Sequence, residues 1–470
     1  MPITLTNAII VNLDPLCVTL GTVRIEGETI AEVGPNIAAQ GGDEIVDCRG
    51  AVIMPGLVNG HTHLYSALAC GMPPPARPPT NFHEILQHVW WRLDRALDAE
   101  SIEMSGTIGA LDALHCGTTT LIDHHASPNC IAGSLDLIEH GIDAVGLRAV
   151  LCYETTDRNG PDGATAGIEE NRRYLGKRQN VEMSRRRNAA TCSAGAPSSA
   201  KQRRGDGRFA AMVGAHAAFT LTDASLKACA DLAAEFQTGV HIHVAEDPCD
   251  DRLCREQYGA SLVDRLEKCG IIDGALAGKP SAAPVARASI FAHGAHLSPD
   301  DAERLSAQLA AVAHNPRSNM NNHVGHAPIA HMTNVLLGTD GIGSDMFTEA
   351  KHAWFKACDA RVALSPADVI AMLAHAARVA GKMLGKTLDR LAPGAAADVV
   401  ITDYRPATPL DTTNAAGHLI FALGPQHVRH VLIGGTWTLR DRTPTRLDEA
   451  AMRERAIPMT QTLWTRMQAY

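Results

Sequence analysis

The chain has 470 residues, 45% apolar and 20% charged, with 51 acidic against 42 basic side chains and a formal charge of −9. That is an ordinary globular composition, and its length gives a prior of about three domains at ~150 residues each, although barrels run longer as single units. The acidic balance argues against a nucleic-acid binder that relies on bulk charge, and no apolar run approaches the ~18 residues of a membrane-spanning helix.

The first residues, MPITLTNAIIVNLDP, show neither a basic leader nor a small-residue cleavage site, so the cytoplasm is the expected compartment. The 12 cysteines are scattered without a CxxC pair. They read as reduced thiols and not as a disulfide framework or a cysteine-built zinc ribbon.

Residues 1–55 read as short strands: ITLTNAIIVN, TVRIEGETIAEVG and EIVDCRGAVI are β-branched and punctuated by Gly and Asn. ADVVITDY and HVRHVLIGGTWTLRD, far along the chain, look alike. We therefore expect one composite small β domain, a β-sandwich, from residues 1–55 and 385–445, followed by a helical extension over 446–470.

Between them, residues 56–384 alternate apolar strand-like runs with Ala/Leu-rich helical stretches. The eight candidate strands are MPGLVNGHTH, TTLIDHHAS, RAVLCYET, AAMVGAHAAFT, GVHIHVAE, SIFAHGAH, AAVAHNP and VLLGTDG. Eight such units predict an α/β fold, a (β/α)8 TIM barrel, and nearly every run ends in His, Asp or Glu. Polar residues at the C-terminal ends of barrel strands face the active site. Gly176–Arg208 is rich in Lys and Arg and nearly devoid of large apolar residues. It reads as a disordered, solvated insertion at the bottom of the barrel.

His61 and His63 lie two apart at the end of the first strand, so both imidazoles point to one side. His243 ends the fifth strand, with Glu246 three residues on; His293 ends the sixth and Asp340 the eighth. Three histidines and an aspartate suit a catalytic metal with an open position, and Glu246 supplies a carboxylate that can move a proton beside it. Neutral imidazole suits zinc and ferrous iron alike.

PGLVNGHTH, HIHVAE, AHGAHL, HNPRSNM and GTDG, in this order, resemble the amidohydrolase superfamily, in particular its cytosine deaminase-like, or chlorohydrolase and guanine deaminase, group. LAPGAAADVVITDY is similar to that group's return into its small β domain. WWRLDRALD, IDHHASP, CYETTDR and GTDG…SDMF look like one subgroup, the SsnA-type aminohydrolases associated with purine metabolism.

The resemblance implies one divalent metal, zinc first and iron second, held by His61, His63, His243 and Asp340. His293 would bind the metal or orient its water. The fourth strand carries His216 and no lysine that could bridge two metals. In the implied mechanism Asp340 takes a proton as water attacks an amidine-type carbon of a planar N-heterocycle, purine- or pterin-like. Glu246 protonates the adjacent ring nitrogen and helps the amine leave as ammonia. Opening of a cyclic amide or displacement of chloride on the same scaffold is the alternative, and a non-catalytic scaffold the third reading. A small heterocycle and water are the expected partners, with no nucleic acid or membrane, and a homo-oligomer, a dimer by resemblance.

For substrate binding, His216, His314 and Glu154 are candidates at strand ends, with His125 beside them. Arg158 reads as a solvated loop arginine or, alternatively, as a bidentate grip on a carboxylate or ring oxygen. Trp90 and Trp91 either belong to the core or stack on the ring.

Overall fold

A computed structural model describes residues 1–192, 207–272, 289–308 and 310–470. All eight expected barrel strands are present: β1 (Leu57–Thr62), β2 (Thr118–His125), β3 (Arg148–Tyr153), β4 (Val213–Ala217), β5 (Val240–Val244), β6 (Ile290–His293), β7 (Ala311–His314) and β8 (Val335–Leu337). Every residue in them is buried, as parallel strands covered on both faces require.

β1, β2 and β3 pair in parallel, and β4 through β8 form a second parallel run. The fourth strand joins them. Its leading part, Phe209–Ala211, pairs with β3, while Val213–Ala217 pairs with β5. Parallel bridges Thr155–Ala215 and Thr62–Asp340 complete the ring. The second of these sets the end of β1 against the loop leaving β8. Gly338 permits that approach: a Cβ there would stand 2.7 Å from the His61 Cβ and 2.5 Å from Asn315 Oδ1.

Val58, Ile122, Val150, Ile290, Ala313 and Leu336 belong to one buried cluster inside the ring. The surrounding helices start on deliberate caps. Asp98 and Ser101 form a reciprocal capping box for Ala99–His115, and Ser365 with Asp368 does the same for Pro366–Leu384.

The two ends of the chain build one further sheet. Strand Val399–Thr402 runs antiparallel to Val52–Pro55, which joins the C-terminal strands to Ile3–Leu13 and its neighbours. Arg148 of β3 is bonded bidentately to Asp398, at 2.7 and 2.9 Å, and stitches sheet to barrel. The last helix, Glu449–Met467, packs back on the barrel: Trp464 donates to the Leu68 carbonyl at 3.0 Å and Met467 O accepts from Arg92 at 2.8 Å. Among the described residues no helix is long and apolar enough to cross a membrane.

One expectation needs correction. Helix Pro161–Cys192 runs through the first part of the segment read as disordered. Arg, Gln, Glu, Met and Ala are good helix formers even where they cannot bury an apolar stripe. Lys177 and Arg178 also bind Asp136 and Glu139 of the neighbouring helix Ser134–Val145. Residues 193–206 lie outside the described residues.

Candidate active site

The strand-end residues converge. His63 Nε2 is 3.1 Å from His243 Nε2 and 3.1 Å from Asp340 Oδ1, and His61 Nε2 is 3.6 Å from the same oxygen. His61, His243, His293 and Asp340 each bring one ligand atom to within 4.8 Å of the others. A second set, His63, His124, Glu154 and His243, overlaps it. His243 belongs to both, and one Nε2 lone pair serves one ion, so the two sets cannot both be filled.

The orientation of each ring follows from its other nitrogen. His63 Nδ1 lies 2.6 Å from the His124 carbonyl, and His243 Nδ1 lies 2.7 Å from the His216 carbonyl. A carbonyl only accepts, so both Nδ1 atoms carry hydrogen and both Nε2 atoms offer lone pairs. His293 Nδ1 contacts Asn319 Oδ1 at 2.9 Å, and His61 Nδ1 contacts His241 Nε2 at 2.9 Å. The Nε2 atoms of His61 and His293 are buried without a hydrogen-bond partner. Imidazole lone pairs aimed at one point, with a carboxylate, fit a divalent cation.

The electrostatics agree. Burial pushes His61 down to about 3, helped by His63 and His293. Burial also opposes charge on His63, but Asp340, Glu154 and Asp123 outweigh it and raise His63 to about 9. A proton on His63 is one way to separate its lone pair from that of His243; a metal ion is the other. Asp340 is held well below the usual carboxylate range: burial opposes this, but His61 and His63 dominate. Glu246 is held well above it, by burial first and then by the charge of Asp340.

Two of these residues reach the site through backbone strain. Ile290 and Ala292 face the barrel interior, so plain alternation along β6 points His293 outward. His293 instead has φ 75°, and its ring lies 5.5 Å from that of His243. Asp340 has φ 54°. Left-handed backbone costs a non-glycine residue about 1–3 kcal/mol and is retained where function requires it.

Glu246 Oε2 stands 3.5 Å from His293 Nε2, and its Oε1 accepts from Asn322 at 3.4 Å. Above the cluster opens a cavity of about 730 Å³, mouth included, lined by His63, His243, Glu246 and Asp340 and by Glu154 and His216. Its wall is aromatic: Tyr65, Phe82, Trp90, Trp91 and Phe219. Both tryptophans thus face the cavity. Glu154 is pushed up by burial but pulled to about 2 by His216 and His124, and its Oε2 is 3.2 Å from His124 Nδ1.

Three sequence expectations are corrected. His314 does not line the cavity. Ala313 faces the barrel interior, so His314 points the other way and packs 5.2 Å from His326. Arg158 is neither solvated nor in the cavity wall: it pairs with Asp94 and lies against Trp91, 5.0 Å from the ring centre. On β2 the residue beside the cluster is His124, which shares the inward face of Ile122. His125 bonds Ser127 at 3.0 Å instead. Counting by twos from Ile122 would have found His124. The same count back from His243 finds His241, which holds His61.

The chain is similar to known enzymes along its whole length. A 5-methylthioadenosine/S-adenosylhomocysteine deaminase of Syntrophomonas wolfei is 28% identical over 440 residues, 91% of each chain. A 5′-deoxyadenosine deaminase of Methanosarcina mazei is 28% identical over 476 residues, 98% of each chain. The crystal structure of an adenosine deaminase from Xanthomonas campestris, with zinc bound, superposes with a TM-score of 0.78 at 22% identity over 98% of both chains, a likeness of fold. The amidohydrolase family model matches residues 52–438, which include the whole barrel and all the converging side chains, and the chain belongs to the amidohydrolase family.

Proposed function

We propose that the chain is a metal-dependent hydrolytic deaminase that replaces the ring amine of a purine of the adenosine type with a carbonyl and releases ammonia. The observation that carries this reading is the set of lone pairs on His61, His63, His243 and His293 that meet Asp340 beside Glu246. The similar deaminases point to the same ring chemistry.

His61, His63, His243 and Asp340 would hold the ion, with zinc the first choice and iron the second. A divalent ion there supplies a Lewis acid and a water acidified towards neutral pH. Asp340 accepts a proton from the attacking water, while Ser318 Oγ, 2.5 Å from Oδ2, keeps its carboxylate in place. Glu246 protonates the ring nitrogen next to the attacked carbon; the proton taken by Asp340 then passes to the departing amine, and Glu246 recovers its own from the new hydroxyl as the carbonyl forms. His293, fixed by Asn319, borders both carboxylates and orients the water. His216 and Glu154 also line the cavity and would contact the ring.

Zinc- and iron-loaded protein should release ammonia from adenosine-type purines, as read by a coupled ammonia assay. Release of chloride from a chlorinated ring without ammonia from any amine would overturn the reading in favour of the chlorohydrolase alternative.

A further inference from the structure

The imidazoles that meet at the candidate metal site are not oriented alike. His63, His243 and His293 each turn Nδ1 to an oxygen: the His124 carbonyl, the His216 carbonyl and Asn319 Oδ1. His61 differs, because its Nδ1 faces another imidazole nitrogen, His241 Nε2, at 2.9 Å. Between two neutral imidazoles either ring can supply the hydrogen. If His61 supplies it, His61 Nε2 keeps its lone pair. That atom is buried without a hydrogen-bond partner, 3.6 Å from Asp340 Oδ1. If His241 supplies it, the hydrogen of His61 sits on Nε2 and the lone pair is lost to a metal. The tautomer of His241 thus decides whether His61 can be a ligand.

The far side of His241 sets that tautomer. His241 Nδ1 faces Cys152 Sγ at 3.8 Å, and Cys152 Sγ lies 3.5 Å from the Asp123 carbonyl oxygen. The carbonyl only accepts, so the thiol hydrogen goes to it and the sulfur is left to accept from His241 Nδ1. Both side chains are buried, out of reach of solvent. His241 is fixed through its backbone as well, since its carbonyl accepts from His124 Nε2 at 3.0 Å. The hydrogens then run one way: from His61 to His241, from His241 to Cys152 and from Cys152 to the main chain.

We propose that His241, backed by Cys152, is a positioning residue that holds His61 as its Nδ1–H tautomer and so keeps His61 Nε2 open to the metal ion. This rests on the reading of His61 as a ligand. Groups that orient a ligating histidine commonly account for about 10–100-fold in metal affinity. The sulfur contact is the weaker of the two, so His241 carries most of the effect.

The test competes zinc-loaded protein against a chromogenic chelator and reads zinc affinity, with circular dichroism to verify that each variant is folded. His241→Phe keeps a ring but accepts nothing. His241→Gln brings an amide oxygen to the place of Nε2 and restores the acceptor. The expected result is zinc binding weaker by about tenfold or more in His241→Phe and within about threefold of wild type in His241→Gln. Should His241→Phe not fold, His241→Asn, whose amide stops short of His61, takes its place with the same expectation. Cys152→Ala should weaken zinc in the same direction and by less; unchanged affinity overturns the part given to Cys152. Unchanged affinity in the folded Phe or Asn variant, or equal weakening in it and in His241→Gln, reduces His241 to a packing residue and overturns the inference. His61→Ala separates the two readings: if it loses zinc while His241→Phe keeps it, only this inference fails, and if it keeps zinc, the ligand reading fails as well.

Discussion

His63 Nε2 and His243 Nε2 face each other at 3.1 Å, and each ring has already given its Nδ1 hydrogen to a main-chain carbonyl. Two lone pairs at that distance repel unless a cation lies between them. The barrel backbone imposes this arrangement, because the two carbonyls belong to His124 and His216 on the neighbouring strands. Either a proton on His63 or a metal ion relieves that contact, and the two compete for the same lone pair.

Metal removal should therefore destabilise the chain as well as silence it. One equivalent of zinc per chain should restore both thermal stability and turnover. At a free-metal concentration a thousand times Kd the stabilisation is about 4 kcal/mol. Elemental analysis and calorimetry check this, and a stoichiometry of two would contradict a single centre.

Glu246→Gln should separate metal binding from catalysis. Glutamine keeps the shape of the side chain but cannot carry the proton, so metal content should stay near wild type while kcat falls by ~10²–10⁴. Asp340→Asn removes a charged ligand and a base together, so both metal content and rate should fall. Loss of metal from Glu246→Gln would make Glu246 a ligand.

Arg148→Ala should cost about 3–5 kcal/mol, because it leaves the Asp398 carboxylate buried and without its bidentate partner. Asp398 also accepts from Gly434 N at 2.8 Å, so the loss should loosen the C-terminal part of the sheet first. Urea unfolding measures the cost, and the double change Arg148→Met with Asp398→Leu should be much milder than either single loss.

Glu349 gives a pH signature. Burial raises its carboxyl to about 7, even though Arg317 pulls the other way. The folded chain therefore holds this proton more tightly than the unfolded chain, whose carboxyl titrates near 4.5. As pH rises from about 4.5 to 7 the cost of burying the charge is added, and above 7 it stays constant. Glu349→Gln lacks this change. The wild-type Tm minus that of the variant should fall across this window, as followed by thermal melts at each pH; a difference that is flat with pH would contradict the burial argument.

The eight barrel strands and the residues that end them were legible in the chain, for a plain reason. A parallel strand is buried on both faces, so it reads as an apolar run, and the first polar residue after it stands at the mouth. His61, His63, His243, Glu246 and Asp340 could be named from that alone. The direction in which each side chain points could not. His314 ends its strand as His293 does, yet one faces outward and the other joins the cluster, because His293 adopts a left-handed backbone that alternation does not foresee. Composition likewise showed that the stretch after Gly176 cannot bury an apolar face. It did not show that ion pairs with Asp136 and Glu139 fasten the start of that stretch as helix. Arg158 depended on tertiary structure most of all: only the packed barrel brings Asp94 and Trp91 to it. Local pattern determines what a residue can be, and the closure of the ring determines what it meets.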